Sequence, residues 1–301
     1  MDFGDKPFKH IRSVDDAVHQ AKKVARRLQP QDITAIIIAV CILPLGYIFQ
    51  ITYVFSFFHE FLSDDWLIRV VPLTYFGINF LLNLYKVVSV GPNGKTSDLP
   101  SVQKPGFRYC HSCNVNSPPR AYHCPVCDTC IMRRDHHCSF GATCVGHFNQ
   151  RYFVAAVVNV MIVAFVVAWY NFSLIFVAIP NMRAVDYWFM CLPHLALVLR
   201  YVTLYQFLIL ISFAFCGAVI IFDAYLIAAQ VFCIYRGQTR MEYLLDIHAY
   251  NCGLWENLRQ SLGRRWPLIF ISPFISSPLD SDGISFKTHE MENVAKNTKT
   301  M

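Results

Sequence analysis

Charged residues are scarce in this 301-residue sequence: they make up 15% of it, and the stretch from Ile33 to Phe58 has none. An ordinary soluble domain carries about 25% charged residues, so this scarcity excludes that class. The sequence also has no internal repeat and no low-complexity tract. What it has instead is apolar: hydrophobic residues reach 55%, and the mean hydropathy is +0.37. This composition favours a membrane protein.

A cleavable signal peptide is not expected either, because residues 1–32, the predicted N-terminal segment, are charged throughout. A membrane-spanning helix needs about 20 apolar residues. On this criterion, helices 1 and 2 lie within 33–88, and helices 3 and 4 lie within 152–235. A proline and an arginine interrupt the apolar segment 184–202, which we interpret as interfacial or partly inserted. A fifth crossing there is the alternative.

Lys and Arg are distributed unevenly between the loops. The short link at 59–66 has neither, whereas the N-terminal segment, the polar region 89–151 and the C-terminal region 236–301 are rich in both. Cytosolic loops carry such an excess of basic residues. We therefore expect both termini and region 89–151 to face the cytosol, which four spans allow and five do not.

Cysteines are concentrated in one window: seven of the twelve, with four histidines, fall between Cys110 and Cys144. The Cys-x-x-Cys spacing repeats there, and each repeat suits two ligands of one tetrahedral zinc ion. Two closed sites use eight ligands, so six cysteines and two histidines make two Cys₃His sites and leave one cysteine over. The candidates are Cys110, Cys113, His123, Cys124, Cys127, Cys130, His137 and Cys144, with His111, His136, Cys138 and His147 beside them.

Cys138 is the cysteine that we leave outside the zinc sites, because it directly follows Asp135, His136 and His137. A thiolate is the competent nucleophile, and a neighbouring imidazole either takes the thiol proton or, as imidazolium, favours the thiolate. An aspartate on the far ring nitrogen would fix the tautomer of that imidazole. One of the two histidines is needed for zinc and the other is free for chemistry, and the spacing does not decide which.

The run Asp135–Cys138, preceded by CHSCNVNSPPRAYHCPVCDTC and followed by CVGHFNQRYF, resembles the cysteine-rich domain of the DHHC-type protein S-acyltransferases. The match has no gap from Arg108 to Phe153. The resemblance implies that Cys138 carries the acyl thioester, that His136 is the base and that Asp135 is its partner. It also implies two structural zinc ions, one held by Cys110, Cys113, His123 and Cys130, and the other by Cys124, Cys127, His137 and Cys144.

Two stretches outside this window are also similar to the family. GQTRMEYLL resembles its Thr-Thr-x-Glu motif, with Thr239 and Glu242 present and Arg240 in place of the second threonine. HAYNCGLWENLRQSLG resembles a C-terminal element whose asparagine, here Asn257, supports the active-site region.

The sequence departs from the family at two places near the site. The Asp-Pro-Gly motif after the second span is degraded to VGPNG. After Cys138, Ser139 and Phe140 replace the usual Pro-Trp, and Thr143 replaces an asparagine. Because the residues that carry the chemistry are intact, we expect these departures to affect rate and substrate rather than the class of reaction.

The sequence therefore predicts an all-α polytopic membrane enzyme with four transmembrane helices and a small cytosolic, zinc-stapled, cysteine-rich domain between the second and third. We expect it to move a long-chain fatty acyl group, palmitoyl by resemblance, from acyl-CoA to cysteines of cytosol-facing protein substrates. The expected partners are acyl-CoA, membrane lipids and those proteins, with no nucleic acid. By resemblance, the expected membrane is that of the Golgi or endoplasmic reticulum.

Two other functions fit the same pattern. The first is an adaptor that keeps the fold after the altered SFGAT segment has cost it activity. The second is a membrane-anchored zinc-finger interaction module, in which the double zinc finger only folds the loop. That module would need no free thiol beside a histidine.

The distribution of basic residues generates a topology prediction. We expect epitope tags at either terminus, or within 92–106, to be reached by a probe confined to the cytosolic side of intact cells. A C-terminal tag that only a lumenal probe reaches would show that 184–202 crosses the membrane.

Overall fold

The computed structural model describes residues 28–94, 104–289 and 291. Four helices in these ranges are long and apolar enough to cross a membrane: α1 (Pro30–Phe58), α2 (Asp64–Val90), α3 (Gln150–Ala178) and, after two short helices, α6 (Leu204–Tyr235). The cysteine-rich region lies between α2 and α3. The predicted class, a polytopic helical membrane protein with four spans, is confirmed by this arrangement.

Local sequence explains where the first two helices begin. Pro30 occupies the first helical position of α1, where its fixed φ suits the helix and its missing N–H costs nothing. Asp32 closes the same end with a capping box. Helix α2 begins with Asp64 and Asp65, whose negative charges suit the positive end of the helix dipole.

Large apolar side chains remain exposed along these helices. Ile68 on α2, Trp169 on α3 and Ile221 on α6 are 72%, 72% and 74% exposed. So much uncovered apolar surface is unfavourable in water and suits contact with lipid chains. The exposure therefore agrees with the length and composition of the helices.

Residues 184–202 form a 3₁₀ turn (Ala184–Asp186) and two short helices, α4 (Trp188–Cys191) and α5 (Pro193–Val198). A helix of six residues is about 9 Å long, whereas the bilayer core is about 30 Å thick. Phe189 and Ala196 are buried in one cluster with residues of α3 and α6. The segment thus contains no helix that could cross a membrane, and its interfacial position stays a prediction.

The chain divides into two compact units. One consists of the described residues up to Cys41, those of Leu81–Ala156 and those from Ala229 onwards. The other consists of Ile42–Phe80 and Val157–Ala228 and is wholly helical apart from its connecting turns. All of the predicted site residues lie in the first unit.

Three two-stranded antiparallel hairpins make up the cysteine-rich region. They pair β1 (Arg108–Cys110) with β2 (Val115–Ser117), β3 (Tyr122–Cys124) with β4 (Thr129–Ile131), and β5 (His136–Cys138) with β6 (Thr143–Val145). The sequence did not predict these strands. An isolated hairpin is marginal at best in water, and one apolar cluster here has just three buried members, Cys124, Ile131 and Cys144. The hairpins therefore need support beyond the pairing of their strands.

The C-terminal region returns to the hairpins after α6. Helix α7 (Arg240–Leu244) follows α6 closely, and α8 (Leu254–Leu262) precedes a 3₁₀ turn (Trp266–Phe270). A buried cluster joins Ala155, Ile234, Leu262 and Ile269. This cluster packs the C-terminal region against the start of α3 and the end of α6.

Candidate functional site

The structure brings the eight predicted zinc ligands together as two groups of four. In each group, one ligand atom from every residue lies within 4.8 Å of all the others. The first group is Cys110, Cys113, His123 and Cys130, and the second is Cys124, Cys127, His137 and Cys144. These are the two sets that the family resemblance implies.

The distances within each group suit a tetrahedral metal site. The Sγ atoms of Cys113 and Cys130 are 3.6 Å apart, as are those of Cys127 and Cys144. That is too far for a disulfide, whose sulfurs are about 2.05 Å apart. A zinc tetrahedron with bonds of about 2.3 Å places its sulfurs about 3.8 Å apart. The donors therefore fit zinc in both type and spacing.

Electrostatics in the second group also favour a cation. Hydrogen bonds from Cys127 and Cys144 hold the pKa of Cys124 far below its usual range. Hydrogen bonds with Cys124 and Cys127 raise the pKa of Cys144 far above it. Thiolates this close repel one another unless a cation lies between them. Each group could therefore hold a metal ion.

The strand β5 separates the two adjacent histidines. Successive side chains of a strand point to opposite faces, so His136 and Cys138 share one face and His137 lies on the other. The Nδ1 atom of His137 lies 3.3 Å from the Sγ atom of Cys127, in the second ligand group. Backbone conformation therefore places His137 with the cysteines that could hold a metal ion and leaves His136 on the face of Cys138.

Asp135, His136 and Cys138 form a buried polar group. The Nδ1–H of His136 donates to Oδ2 of Asp135 over 2.8 Å, and Cys138 is only 3% exposed. Burial would lower the pKa of His136, but its hydrogen bonds to Asp135 and Cys138 raise that pKa to about 9. Burial would raise the pKa of Asp135, but hydrogen bonds from His136, the Arg240 amide and Gln230 lower it to about 2. An imidazolium favours the ionised form of a neighbouring thiol.

The carboxylate of Asp135 is held from three directions. Besides His136, its Oδ1 accepts the backbone N–H of Arg240 over 2.7 Å, and its Oδ2 accepts Nε2–H of Gln230 over 2.7 Å. Its own backbone N–H donates to the carbonyl of Val145. Residues from α6 and α7 therefore fix the orientation of the Asp135 side chain, and β6 fixes its backbone. The carboxylate in turn orients the His136 ring.

A buried chain of amides continues from this carboxylate. Gln230 accepts from Nε2–H of Gln150 over 2.9 Å, and Gln150 accepts from Nη1–H of Arg133. Arg133 also donates through Nη2 to Oγ of Ser261 over 2.7 Å. The sequence did not single out these residues, although a glutamine near the end of an apolar helix is a signal that could have pointed to Gln230.

Thr239 and Glu242 form a capping box at the start of α7. The Glu242 N–H donates to Oγ1 of Thr239, and the Thr239 N–H donates to Oε2 of Glu242. Glu242 also forms a buried, bidentate ion pair with Arg120 over 2.6 and 2.7 Å. The motif therefore fixes the N–H of Arg240 toward Asp135, and any residue at 240 except proline supplies this backbone N–H.

Asn257 joins the end of α6 to the segment before α8. Its Nδ2 donates to the carbonyl of Tyr235 over 3.1 Å, and its Oδ1 accepts the N–H of Cys252 over 3.1 Å. Gly237 has φ of +66°, and a Cβ there would come within 2.9 Å of Asn257 Oδ1. This is a supporting position, close to the turn that leads into α7.

The residues that depart from the family surround Cys138. Thr143 pairs with Cys138 across the β5–β6 hairpin, and Ser139 and Phe140 lie in the 3₁₀ turn between the two strands. His111 and His147 belong to neither ligand group. His147 is buried and donates through Nε2 to the carbonyl of Ser281, and burial lowers its pKa to about 4.

Comparison with known proteins agrees with this geometry. Residues 103–247 match the family model described as DHHC palmitoyltransferase. The chain is 35% identical to the mouse protein "Probable palmitoyltransferase ZDHHC24" over 193 residues, which cover 61% of this chain and 65% of that protein. It is 34% identical to the human protein of the same name over the same shares of both chains. "Palmitoyltransferase erf2" of Aspergillus fumigatus is 51% identical over 69 residues, which cover 23% of this chain and 11% of that protein.

The fold and the site define a polytopic helical membrane protein with a cysteine-rich domain that could bind two metal ions. Residues 103–247, about half of the chain, are therefore similar to the DHHC palmitoyltransferase domain. The match spans 65% of the length of the ZDHHC24 relatives from mouse and rat.

The small apolar core of the hairpins generates a prediction about metal. We expect Cys124→Ala, or treatment with a strong chelator, to open residues 107–151 to proteolysis, because metal-binding free energy is folding free energy in such domains. Limited proteolysis of the purified full chain, read by mass spectrometry, would measure this. Cys191→Ala, at an exposed cysteine outside both groups, is the matched control and should keep the protection. A region that stays protected in Cys124→Ala would contradict the metal assignment.

Proposed function

We propose that this protein is a protein S-acyltransferase that moves a long-chain fatty acyl group, palmitoyl in the first instance, from acyl-CoA to cysteines of other proteins. One observation carries the proposal. Cys138 is the one cysteine of the window outside both ligand groups, and it shares a strand face with His136, whose ring Asp135 holds. The names of the similar proteins given above, "Probable palmitoyltransferase ZDHHC24" and "Palmitoyltransferase erf2", support the choice of acyl group.

In the first step, the thiol proton of Cys138 passes to His136, and the thiolate attacks the thioester carbonyl of acyl-CoA. The bond from the acyl carbon to the CoA sulfur breaks as the bond to Cys138 Sγ forms, and the CoA thiolate leaves with a proton from His136. Asp135 stabilises the imidazolium between these events, as an aspartate does in other catalytic triads.

In the second step, a cysteine thiol of the acceptor protein loses its proton to His136, and its thiolate attacks the acyl-Cys138 thioester. The acyl group moves to the acceptor, and Cys138 regains its proton. Covalent catalysis in two half-reactions predicts ping-pong kinetics. The short separation along the chain between Cys138 and the start of α3 at Gln150 suits a donor whose acyl tail dissolves in the bilayer.

We also propose that two zinc ions fill the two ligand groups. Three thiolates and one imidazole close each tetrahedron, so neither ion has an open position for substrate. The ions would therefore hold the hairpins and take no direct part in acyl transfer.

The protein is an integral membrane protein by its four apolar helices, and we propose that its termini and cysteine-rich domain face the cytosol of the Golgi or endoplasmic reticulum. The excess of Lys and Arg in these regions supports that orientation. The partners would then be acyl-CoA, membrane lipids and protein substrates with cysteines near the cytosolic surface.

An adaptor without transferase activity is the second candidate. The observation in its favour is the position of the altered residues: Thr143 is directly opposite Cys138, and Ser139 and Phe140 follow it. The pair of His136 and Asp135 favours the enzyme, because an adaptor has no use for an oriented imidazole beside a thiol.

The first test concerns Cys138 itself. Incubated with a clickable analogue of palmitoyl-CoA, the purified protein should form an adduct that hydroxylamine removes, because a thioester is labile to it. Cys138→Ser should reduce this adduct to background while two zinc ions per chain remain bound. Gel fluorescence and metal analysis of the same samples would measure both quantities.

Substitutions of the adjacent residues His136 and His137 provide a matched pair of controls for this test. His136→Ala should slow adduct formation by about 10²–10⁴-fold, the usual contribution of a general base, and keep both zinc ions. His137→Ala should lose one zinc ion. Full labelling of Cys138→Ser through another cysteine would contradict the nucleophile, and absence of labelling in the unaltered protein would favour the adaptor.

The hydrogen bond from Gln230 to Asp135 generates a second prediction. Gln230→Leu should slow adduct formation by about 10–100-fold, because losing this contact lets the carboxylate and the His136 ring turn away from Cys138. The effect should appear in the rate at saturating acyl-CoA and leave the half-saturating concentration unchanged.

Gln206→Leu is the matched control, since Gln206 lies on the same helix and donates to the carbonyl of Ala178, away from the site. It should keep the rate of the unaltered protein. An equal loss in both variants, or a change confined to half-saturation, would contradict a positioning role for Gln230.

A further inference from the structure

The ring of His137 has a second side that faces away from the ligand group. Its Nδ1 lies 3.3, 3.9 and 3.8 Å from the sulfurs of Cys127, Cys124 and Cys144. Its Nε2 lies 3.6 Å from Oδ1 of Asp32. Neither Nε2 of His137 nor Oδ1 of Asp32 has a hydrogen-bond partner in the described part of the chain, and both atoms are buried. Two unsatisfied buried polar atoms therefore face each other.

Asp32 divides its carboxylate between two directions. It is the third residue of α1, and its Oδ2 accepts the backbone N–H of Gln29 over 3.1 Å in the capping box. Its Oδ1 is not used by the cap and faces His137. The residue is 1% exposed, and an aspartate is buried to that degree only when it has partners. The helix cap accounts for one oxygen and leaves the other unexplained.

Metal chemistry supplies the missing partner. An imidazole that binds a metal through Nδ1 is neutral and carries its proton on Nε2. Such a proton is usually donated to a carboxylate, carbonyl or water, which fixes the ring and raises its basicity as a ligand. For His137, the Oδ1 atom of Asp32 is in position to accept it after a shift of a few tenths of an ångström.

The other ligand histidine lacks this arrangement. His123 also presents Nδ1 to its group, 3.2 Å from the sulfur of Cys113. Among residues 28–94, 104–289 and 291, no carboxylate forms an ion pair with His123, whereas Asp32 does so with His137. The two groups in one chain thus differ in their outer contacts, which provides an internal comparison.

We infer that Asp32 is a positioning residue for the second metal site: it accepts the Nε2–H of His137 and so ties the first turn of α1 to the strand β5. The first eight residues of α1, Pro30–Ile37, pack against Ser139–Gly141, directly after Cys138. One carboxylate thereby couples the start of the first membrane helix to the metal ligand that lies between His136 and Cys138. The inference rests on the zinc occupancy proposed above and is independent of acyl transfer.

The test measures metal retention in each of the two ligand groups separately. Zinc-loaded, full-length protein in detergent is mixed with a competing chelator and an alkylating reagent, and mass spectrometry follows the alkylation of each cysteine over time. Asparagine has one acceptor oxygen, which the N–H of Gln29 engages in the helix cap, so in Asp32→Asn the NH₂ group of the amide faces the ring. We expect alkylation of Cys124, Cys127 and Cys144 to become about 10–100-fold faster, the usual effect of losing such an outer contact. Cys110, Cys113 and Cys130 should keep the rate of the unaltered protein.

Gln29→Pro is the matched control for the helix cap. Gln29 has φ of −81° and ψ of 155°, which proline accepts, so this variant removes the capping N–H and keeps the Asp32 carboxylate. It should leave all six alkylation rates unchanged. Asp32→Glu, which keeps a carboxylate one methylene farther out, should fall between Asp32→Asn and the unaltered protein.

Four results would overturn the inference. Unchanged rates at Cys124, Cys127 and Cys144 in Asp32→Asn would show that the contact does not support the metal. Equal acceleration at all six cysteines, or the same acceleration in Gln29→Pro, would show that Asp32 acts only through the helix or the fold. Immediate alkylation of all six in the unaltered protein without chelator would remove the zinc proposal as well, whatever the outcome of acyl labelling.

Discussion

The alternation of side chains along β5 is the constraint on which the site depends. The side chains of three consecutive residues point in two directions there: His137 faces the ligand group, and His136 and Cys138 face the opposite side. In a helix these three residues would spread over about 200° and could not be divided so cleanly. A metal ion bound by His137 would fix the middle of the strand, and with it the directions of both neighbours. The proposed zinc site and the proposed nucleophile are therefore one structural unit.

Buried polar groups surround this strand, and several of them form hydrogen bonds with one another. A charge taken out of water without a partner costs several kcal/mol, so Asp135 is stable only with the donors from His136, Arg240 and Gln230. Arg133 pairs with Gln150 and Ser261, yet burial still lowers its pKa to about 9. Such a network is rigid because moving one member leaves others unsatisfied. This rigidity suits a site whose proton donors and acceptors must keep fixed relative positions.

Sequence reasoning predicted the elements whose signals are local and missed those that depend on distant contacts. The spans follow from apolar length, and the ligand groups follow from Cys-x-x-Cys spacing together with the family resemblance. The choice between His136 and His137 needed the backbone conformation, which three residues do not specify on their own. Gln230 reaches Asp135 from 95 positions away, and Asp32 reaches His137 from 105. Neither contact can be predicted from the spacing of residues in the sequence, since each forms only when the helices and hairpins have packed.

The departures from the family fall on the side of the thiol that the proton path does not use. His136 and Asp135 precede Cys138, and the groups that hold Asp135 come from α6, α7 and β6. Ser139 and Phe140 instead lie in the turn that follows Cys138, and Thr143 pairs with Cys138 on the opposite strand. With Cys138 as the proposed nucleophile, changes beside it would alter the rate and the acyl chain or acceptor that fits, whereas the proton transfer would remain as the unchanged residues set it. The altered segment would therefore bear on rate and choice of substrate more than on the capacity to form a thioester.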